Sequence, residues 1–181
     1  MQETPPTIND MLAGHYVLKR DIGAGRYVLK REIGRGGSAT VYLAHDVRHE
    51  RLVAIKILHT ELSHALGAQR FQREIKLTAS LQHPHILPIH DSGETADQLY
   101  YVMPYVEGDS LRHRLGADNR LSVEEAVRIG REVAGALAYA HERGVVHRDI
   151  KPENILLSGG AAVVTDFGIA KAIEAAGGQD H

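Results

Sequence analysis

The chain contains no cysteine. That excludes disulfides, thiolate metal sites and cysteine nucleophiles, and it permits a reducing compartment. Nor is there an excess of charge of either sign: 21 Lys and Arg stand against 23 Asp and Glu, a formal net of −2. A nucleic-acid coat or a polybasic membrane tether needs a net positive field, so neither is expected. No apolar run approaches the roughly 18 residues of a membrane span. The opening MQETPPTIND lacks both the basic and the apolar stretch of a secretory signal. These absences predict a soluble, cytoplasmic chain. What is present is an ordinary globular mix, 43% hydrophobic and 24% charged over 181 residues. That length suits one domain of two lobes with a real core.

A polar tail with Pro5 and Pro6 is followed by an internal repeat. Tyr16–Arg26 and Tyr27–Gly37 agree at eight of eleven positions. Two short copies do not make a solenoid, and the first copy is expected to be a redundant extension. Strands are predicted over Tyr27–Ile33, Thr40–His45, Leu52–Leu58, Ile86–His90 and Leu99–Met103. Between them the period changes over residues 68–82, where Phe71, Ile75 and Thr78 share a helical face, with Glu74 close by. After Gly108 the pattern turns helical. Ser122 and Glu125 have capping-box spacing and open a helix to about residue 143, with Gly144 just beyond its end. Residues 155–157 and 161–165 read as a hairpin around Ser158-Gly159-Gly160. Strands first and helix later make an α+β pattern.

Four segments carry chemistry. Gly34-Arg-Gly36-Gly-Ser-Ala39-Thr-Val41 lies between two strands. It reads either as a plain hairpin turn or as a loop whose backbone N–H groups approach phosphate oxygens. A dinucleotide fingerprint would need a helix next, and a P-loop would need Gly-Lys-Ser/Thr; neither follows. Lys56, in Val53-Ala54-Ile55-Lys56, sits in an apolar strand. It either snorkels from an edge or is held for an anion. Glu74 is either its partner or a solvated helix charge. His147-Arg-Asp149-Ile-Lys151-Pro-Glu-Asn154 packs a carboxylate, an ammonium and an amide oxygen into eight residues. Asp166-Phe167-Gly168 follows the hairpin, whose geometry brings Asp166 and Asn154 together as hard oxygen donors for one Mg²⁺. Twelve histidines, including His83, His85 and His90, fit no zinc signature.

In this order the motifs form the protein-kinase signature set, and residues 27–171 resemble a bacterial serine/threonine kinase of the eukaryotic-like type. The resemblance implies a five-stranded antiparallel N-lobe with one main helix and a partial helical C-lobe. Its divisions would be an extension over 1–26, an N-lobe over 27–103, a hinge over 104–109 and a partial C-lobe over 110–181. It implies ATP and Mg²⁺ as cofactors and a protein with Ser or Thr as substrate. Gly34, Gly36 and the backbone to Ala39 would cover the phosphates, with Ile33, Val41 and Ala54 against adenine. Alanine stands at 39 where the family has a third glycine; a left-handed backbone there would cost it about 1–2 kcal/mol. Lys56 would hold phosphates and pair with Glu74. Met103 would be the gatekeeper, and the Pro104 carbonyl and Val106 N–H would meet adenine. Asp109 or Ser110 would lie near the ribose. Asp149 would take the substrate proton, Lys151 would neutralise the transferring phosphoryl group, and Asn154 and Asp166 would bind Mg²⁺. Arg148 would pair with an activation-loop phosphate.

Departures from the family lie at the end. Thirteen residues follow Gly168, with no Ser, Thr or Tyr and no Ala-Pro-Glu. The chain thus reads as the first part of a kinase, and the helix over 122–143 is expected to expose an apolar face. The alternative is a catalytically inactive nucleotide-binding or interaction fragment, because most of the C-lobe is missing. A membrane anchor, which relatives carry beyond the kinase, is not visible in this chain.

Overall fold

The structure is a computed structural model that describes residues 21–95, 98–118 and 120–167. Expectations for the N-terminal tail, Gly168 and the segment after it lie outside the described residues. The first lobe is an antiparallel sheet built from β1 (Asp21–Ile22), β2 (Tyr27–Arg35), β3 (Ala39–Asp46), β4 (Arg51–Leu58), β5 (Asp91–Thr95) and β6 (Gln98–Pro104), in the order β1-β2-β3-β4-β6-β5. Helices α1 (Thr60–Leu66) and α2 (Ala68–Ala79) connect β4 to β5. The two-residue period of the strands sorts the core. Ala54 and Leu58 of β4 and Leu99, Tyr101 and Met103 of β6 face Leu66, Phe71 and Ile75 of the helices. Val53, Ile55, Ile57, Tyr100 and Val102 pack on the other face with Tyr27, Leu29 and Ile22.

Two expectations need correction here. The five-stranded antiparallel sheet is present as β2–β6, and the first repeat copy is not an idle extension: it adds the two-residue β1 at the sheet's edge, pairing Asp21 with Val28 and Ile22 with Tyr27. Residues 21–26 are therefore not redundant. Ile22 is 1% exposed, and Arg26 bridges Asp46 at 3.3 Å and Asp91 at 2.7 Å. Burial pushes the Asp46 carboxyl up, but hydrogen bonds from Arg26 and His49 outweigh it and hold it well below the usual carboxylate range. The second correction is Ile86–His90, which is no strand. It offers one parallel bridge, Ile86 to Val164, and pairing with β6 begins at Asp91. Pro88 has no N–H for a ladder.

The second lobe holds β7 (Asp109–Ser110), α3 (Leu111–Asp118), α4 (Val123–Glu142), β8 (Ile155–Ser158) and β9 (Ala161–Val164). Ser122 caps α4, its hydroxyl accepting from the Glu125 N–H at 3.1 Å, and Gly144 follows the helix at φ 74°. The predicted hairpin is β8–β9, with Ile155 opposite Val164. Helix α4 buries Ile129, Ala136 and Ala140 against Ile155, Ala162, Val164 and Phe167. Val123 and Val127 on α4 are exposed. Among the described residues no helix is long and apolar enough to cross a membrane.

Candidate active site

A cleft of about 520 Å³ opens between the two lobes. Its sheet side is lined by Ile33, Gly34, Val41 and Ala54, its back by Met103, and its rim by Pro104, Val106, Asp109 and Ser110. Antiparallel register explains the grouping: Val41 pairs with Lys56 across β3–β4, and Ala54 with Met103 across β4–β6. The turn from β2 to β3 is closed by the Gly36 N–H donating to the Ala39 carbonyl at 2.9 Å. A Cβ at Gly34 would meet Val41 at 3.8 Å, an ordinary contact. Ala39 is not among the residues with positive φ, which is why alanine is accommodated where a third glycine is expected.

Lys56 extends from β4 to Asp166, Nζ to Oδ2 at 2.8 Å. The expected Lys56–Glu74 pair is corrected: no such contact exists among the described residues. Glu74, on α2, lines a separate small cavity with Thr78, Val145, Val146 and Arg148. Spacing along the chain could not set this, because the choice between two carboxylates depends on where α2 packs.

The remaining polar groups converge through the β8–β9 hairpin. Asn154 is buried just before β8, and its carbonyl accepts from the N–H of Thr165 just after β9 at 3.0 Å. Asp166 is the next residue along the chain after Thr165. The Asn154 side-chain N–H₂ donates to the Asp149 carbonyl at 2.8 Å and to Asp149 Oδ2 at 3.2 Å. That leaves its amide oxygen for another ligand. Lys151 Nζ holds Asp149 Oδ2 at 2.7 Å, and this hydrogen bond raises the lysine pKa. Burial pushes the Asp166 carboxyl up, but Lys56, Tyr101 and Thr165 outweigh that and keep it ionised below its ordinary range. A carboxylate and an amide oxygen are hard donors that suit Mg²⁺, which takes few protein ligands and keeps sites for phosphate and water. The donor set therefore fits the implied ion.

Several contributors carried no individual role in the sequence. His147 is 1% exposed. Its Nε2–H donates to the Thr165 carbonyl at 2.7 Å, and its Nδ1 accepts from the Asp149 N–H at 3.3 Å. These partners fix a neutral tautomer, and burial lowers its pKa. Its ring meets Phe167 edge-on at 4.7 Å. Arg148 and Asp166 have φ of 69° and 65°, a backbone region that costs non-glycine residues on the order of 1–3 kcal/mol and marks functional loops. Leu156 and Thr165 also line the cleft. The alternation in β8 could have indicated Leu156; nothing local singles out Thr165. Tyr101 could have been found once β4 and β6 were paired, since it lies opposite Lys56.

The protein kinase domain family matches residues 27–180. The chain is 47% identical over 177 residues to the probable serine/threonine-protein kinase PknA2 of Bifidobacterium longum, covering 95% of this chain and 22% of the relative. It is 46% identical over 168 residues to the serine/threonine-protein kinase PrkC of Bacillus subtilis, covering 92% and 24%. Among solved structures it is similar to the PknI kinase domain of Mycobacterium tuberculosis, with a TM-score of 0.73 and 36% identity over 86% of this chain and 65% of that one. The chain thus spans about a quarter of the length of the curated relatives it matches. With its cleft, its Lys56–Asp166 bridge and its Asp149-Lys151-Asn154 loop in place, the chain belongs to the protein kinase domain family.

Proposed function

We propose that this chain carries the nucleotide-binding and phosphoryl-transfer machinery of an ATP- and Mg²⁺-dependent protein serine/threonine kinase. The observation that supports this most is the chain of polar contacts that starts at Asp166 in the cleft wall: Lys56 bonds Asp166 directly, and Asn154, tied to Thr165 beside it, bonds Asp149, which Lys151 holds in turn. In this reading adenine lies between Ile33, Val41 and Ala54 on one side and Leu156 on the other, against Met103. The Pro104 carbonyl and the Val106 N–H supply its polar contacts. Gly34, Gly36 and the backbone to Ala39 cover the phosphates, and Asp109 or Ser110 meets the ribose. Lys56 transfers its contact from Asp166 to the phosphates. Asn154 and Asp166 hold Mg²⁺, which supplies charge neutralisation on the triphosphate.

Asp149 orients the substrate hydroxyl and accepts its proton as the serine or threonine oxygen bonds to the γ-phosphorus. The bond from that phosphorus to the β–γ bridging oxygen breaks, and ADP leaves. Lys151 stabilises the negative charge on the transferring group. Little covalent work falls to the protein; positioning and electrostatics carry the rate. Glu74 joins Lys56 only if α2 moves.

Calorimetric titration with ATP·Mg²⁺, followed by transfer to a generic protein substrate, tests this reading. Binding and transfer are expected, with transfer lost in Lys56→Met. A second reading, binding without turnover, is favoured by the separation of Glu74 from Lys56; binding with no transfer would select it. Absence of nucleotide binding would overturn both.

A further inference from the structure

The hydroxyl of Tyr101 has entered so far only as one of the groups that lower the Asp166 pKa. The ring lies under the sheet, 1% exposed, packed with Phe71, Ile75 and Leu99, directly opposite Lys56 in the β4–β6 register. Phenylalanine would fill that space. A buried tyrosine hydroxyl must find a partner, and here it donates to Oδ1 of Asp166. Among the donors to Asp166, which include Thr165, Tyr101 holds Oδ1 and Lys56 holds Oδ2 at 2.8 Å.

The donors differ in what they can do. Lys56 has a flexible four-carbon stem and moves readily to an incoming phosphate. Tyr101 has two side-chain torsions, both fixed by core packing, and it stays where it is. When Lys56 leaves, Oδ2 is freed while Oδ1 remains tethered. Without the tether, a carboxylate on a loop residue at φ 65° could rotate about its side-chain bonds. Groups that hydrogen-bond a ligating carboxylate typically alter metal affinity about 10–100-fold when removed.

We propose that Tyr101 is a positioning residue for the divalent cation: its hydroxyl pins Oδ1 of Asp166 and presents Oδ2 to the metal. The proposal rests on Asp166 being a metal ligand, and the experiment separates the two claims. Mn²⁺ serves as the probe, its binding followed by electron paramagnetic resonance in the presence of ADP. Wild type, Asp166→Asn, Tyr101→Phe and Tyr100→Phe are compared. Tyr100 occupies the neighbouring strand position on the opposite face and controls for loss of a hydroxyl.

Tyr101→Phe is expected to weaken Mn²⁺ binding about tenfold or more and to leave ADP affinity without metal unchanged. In turnover it should raise the Mn²⁺ concentration for half-maximal rate, with kcat recovered at saturating metal. Tyr100→Phe should behave as wild type. Equal Mn²⁺ affinity in wild type and Tyr101→Phe overturns the role of Tyr101 alone. So does an equal loss of metal-free ADP binding, which marks a structural role. Failure of Asp166→Asn to weaken Mn²⁺ binding overturns the ligand assignment beneath the proposal. If the phenylalanine variant does not fold, Tyr101→Met, a similarly sized side chain without the hydroxyl, is read by the same criteria.

Discussion

Replacing Ile22 by alanine asks whether the first repeat copy belongs to the fold. Ile22 is 1% exposed and sits among Tyr27, Leu29, Ala44, Val53, Ile55 and Tyr100. Full burial of an isoleucine stabilises by about 1.5–3 kcal/mol, and truncation to alanine in a core costs about 2–5 kcal/mol once the cavity is included. β1 has two residues and lies at the sheet edge, so it can shift inward or detach more easily than a central strand. The lower part of that range, about 2–3 kcal/mol, is therefore expected. Urea unfolding followed by far-ultraviolet circular dichroism measures it, as a lower midpoint at unchanged slope. A shift below about 0.5 kcal/mol, the size of an ordinary surface substitution, would refute the reasoning and return residues 21–26 to the status of an appendage. Arg26→Ala in the Ile22→Ala background would then separate apolar burial from the ties of Arg26 to Asp46 and Asp91.

Three further outcomes are expected. Gly108 has φ 141°, and a Cβ there would lie 2.1 Å from the Leu157 carbonyl oxygen; Gly108→Ala should separate β7 from β8 and lower the melting temperature by several degrees in a thermal scan. Ser122→Ala removes the cap on α4 and should cost about 1 kcal/mol by denaturant titration, with Ser122→Thr nearly neutral. Burial depresses the pKa of His147, and likewise of His83 and His90. The unfolded chain therefore binds more protons than the folded one as pH falls through about 6.5. Stability should decline below that pH, and His147→Gln should flatten the decline; a melting temperature constant from pH 7.5 to 5.5 would contradict this.

Much of the architecture was legible because local and tertiary demands agree. Leu52–Leu58 alternates faces and is a central strand, Ser122 and Glu125 cap the helix they announce, and Ser158-Gly159-Gly160 turns the hairpin that brings Asn154 to Thr165. Where the two demands part, local pattern misleads. Ile86–His90 is apolar enough for a strand, yet Pro88 lacks an N–H and the Leu87 N–H is taken by the Val164 carbonyl at 2.9 Å, so no ladder forms. Asp91–Thr95 has the composition of a turn and becomes a strand because β6 offers it a partner. Helix α1, seven residues long, is too short to show a period of its own. The site residues were readable as a set of types in order. The partner of Lys56 and the tether on Asp166 were not, because both depend on side chains brought together from distant elements.

The central claim is that Asp149 removes the proton from a serine or threonine hydroxyl while γ-phosphate is transferred within this cleft. Its most direct test is transfer of ³²P from γ-labelled ATP to a protein substrate, with phosphoamino-acid analysis, for wild type and Asp149→Asn. Labelled phosphoserine or phosphothreonine in wild type, reduced at least a hundredfold in the variant, is the predicted result. Equal labelling by both proteins would contradict it.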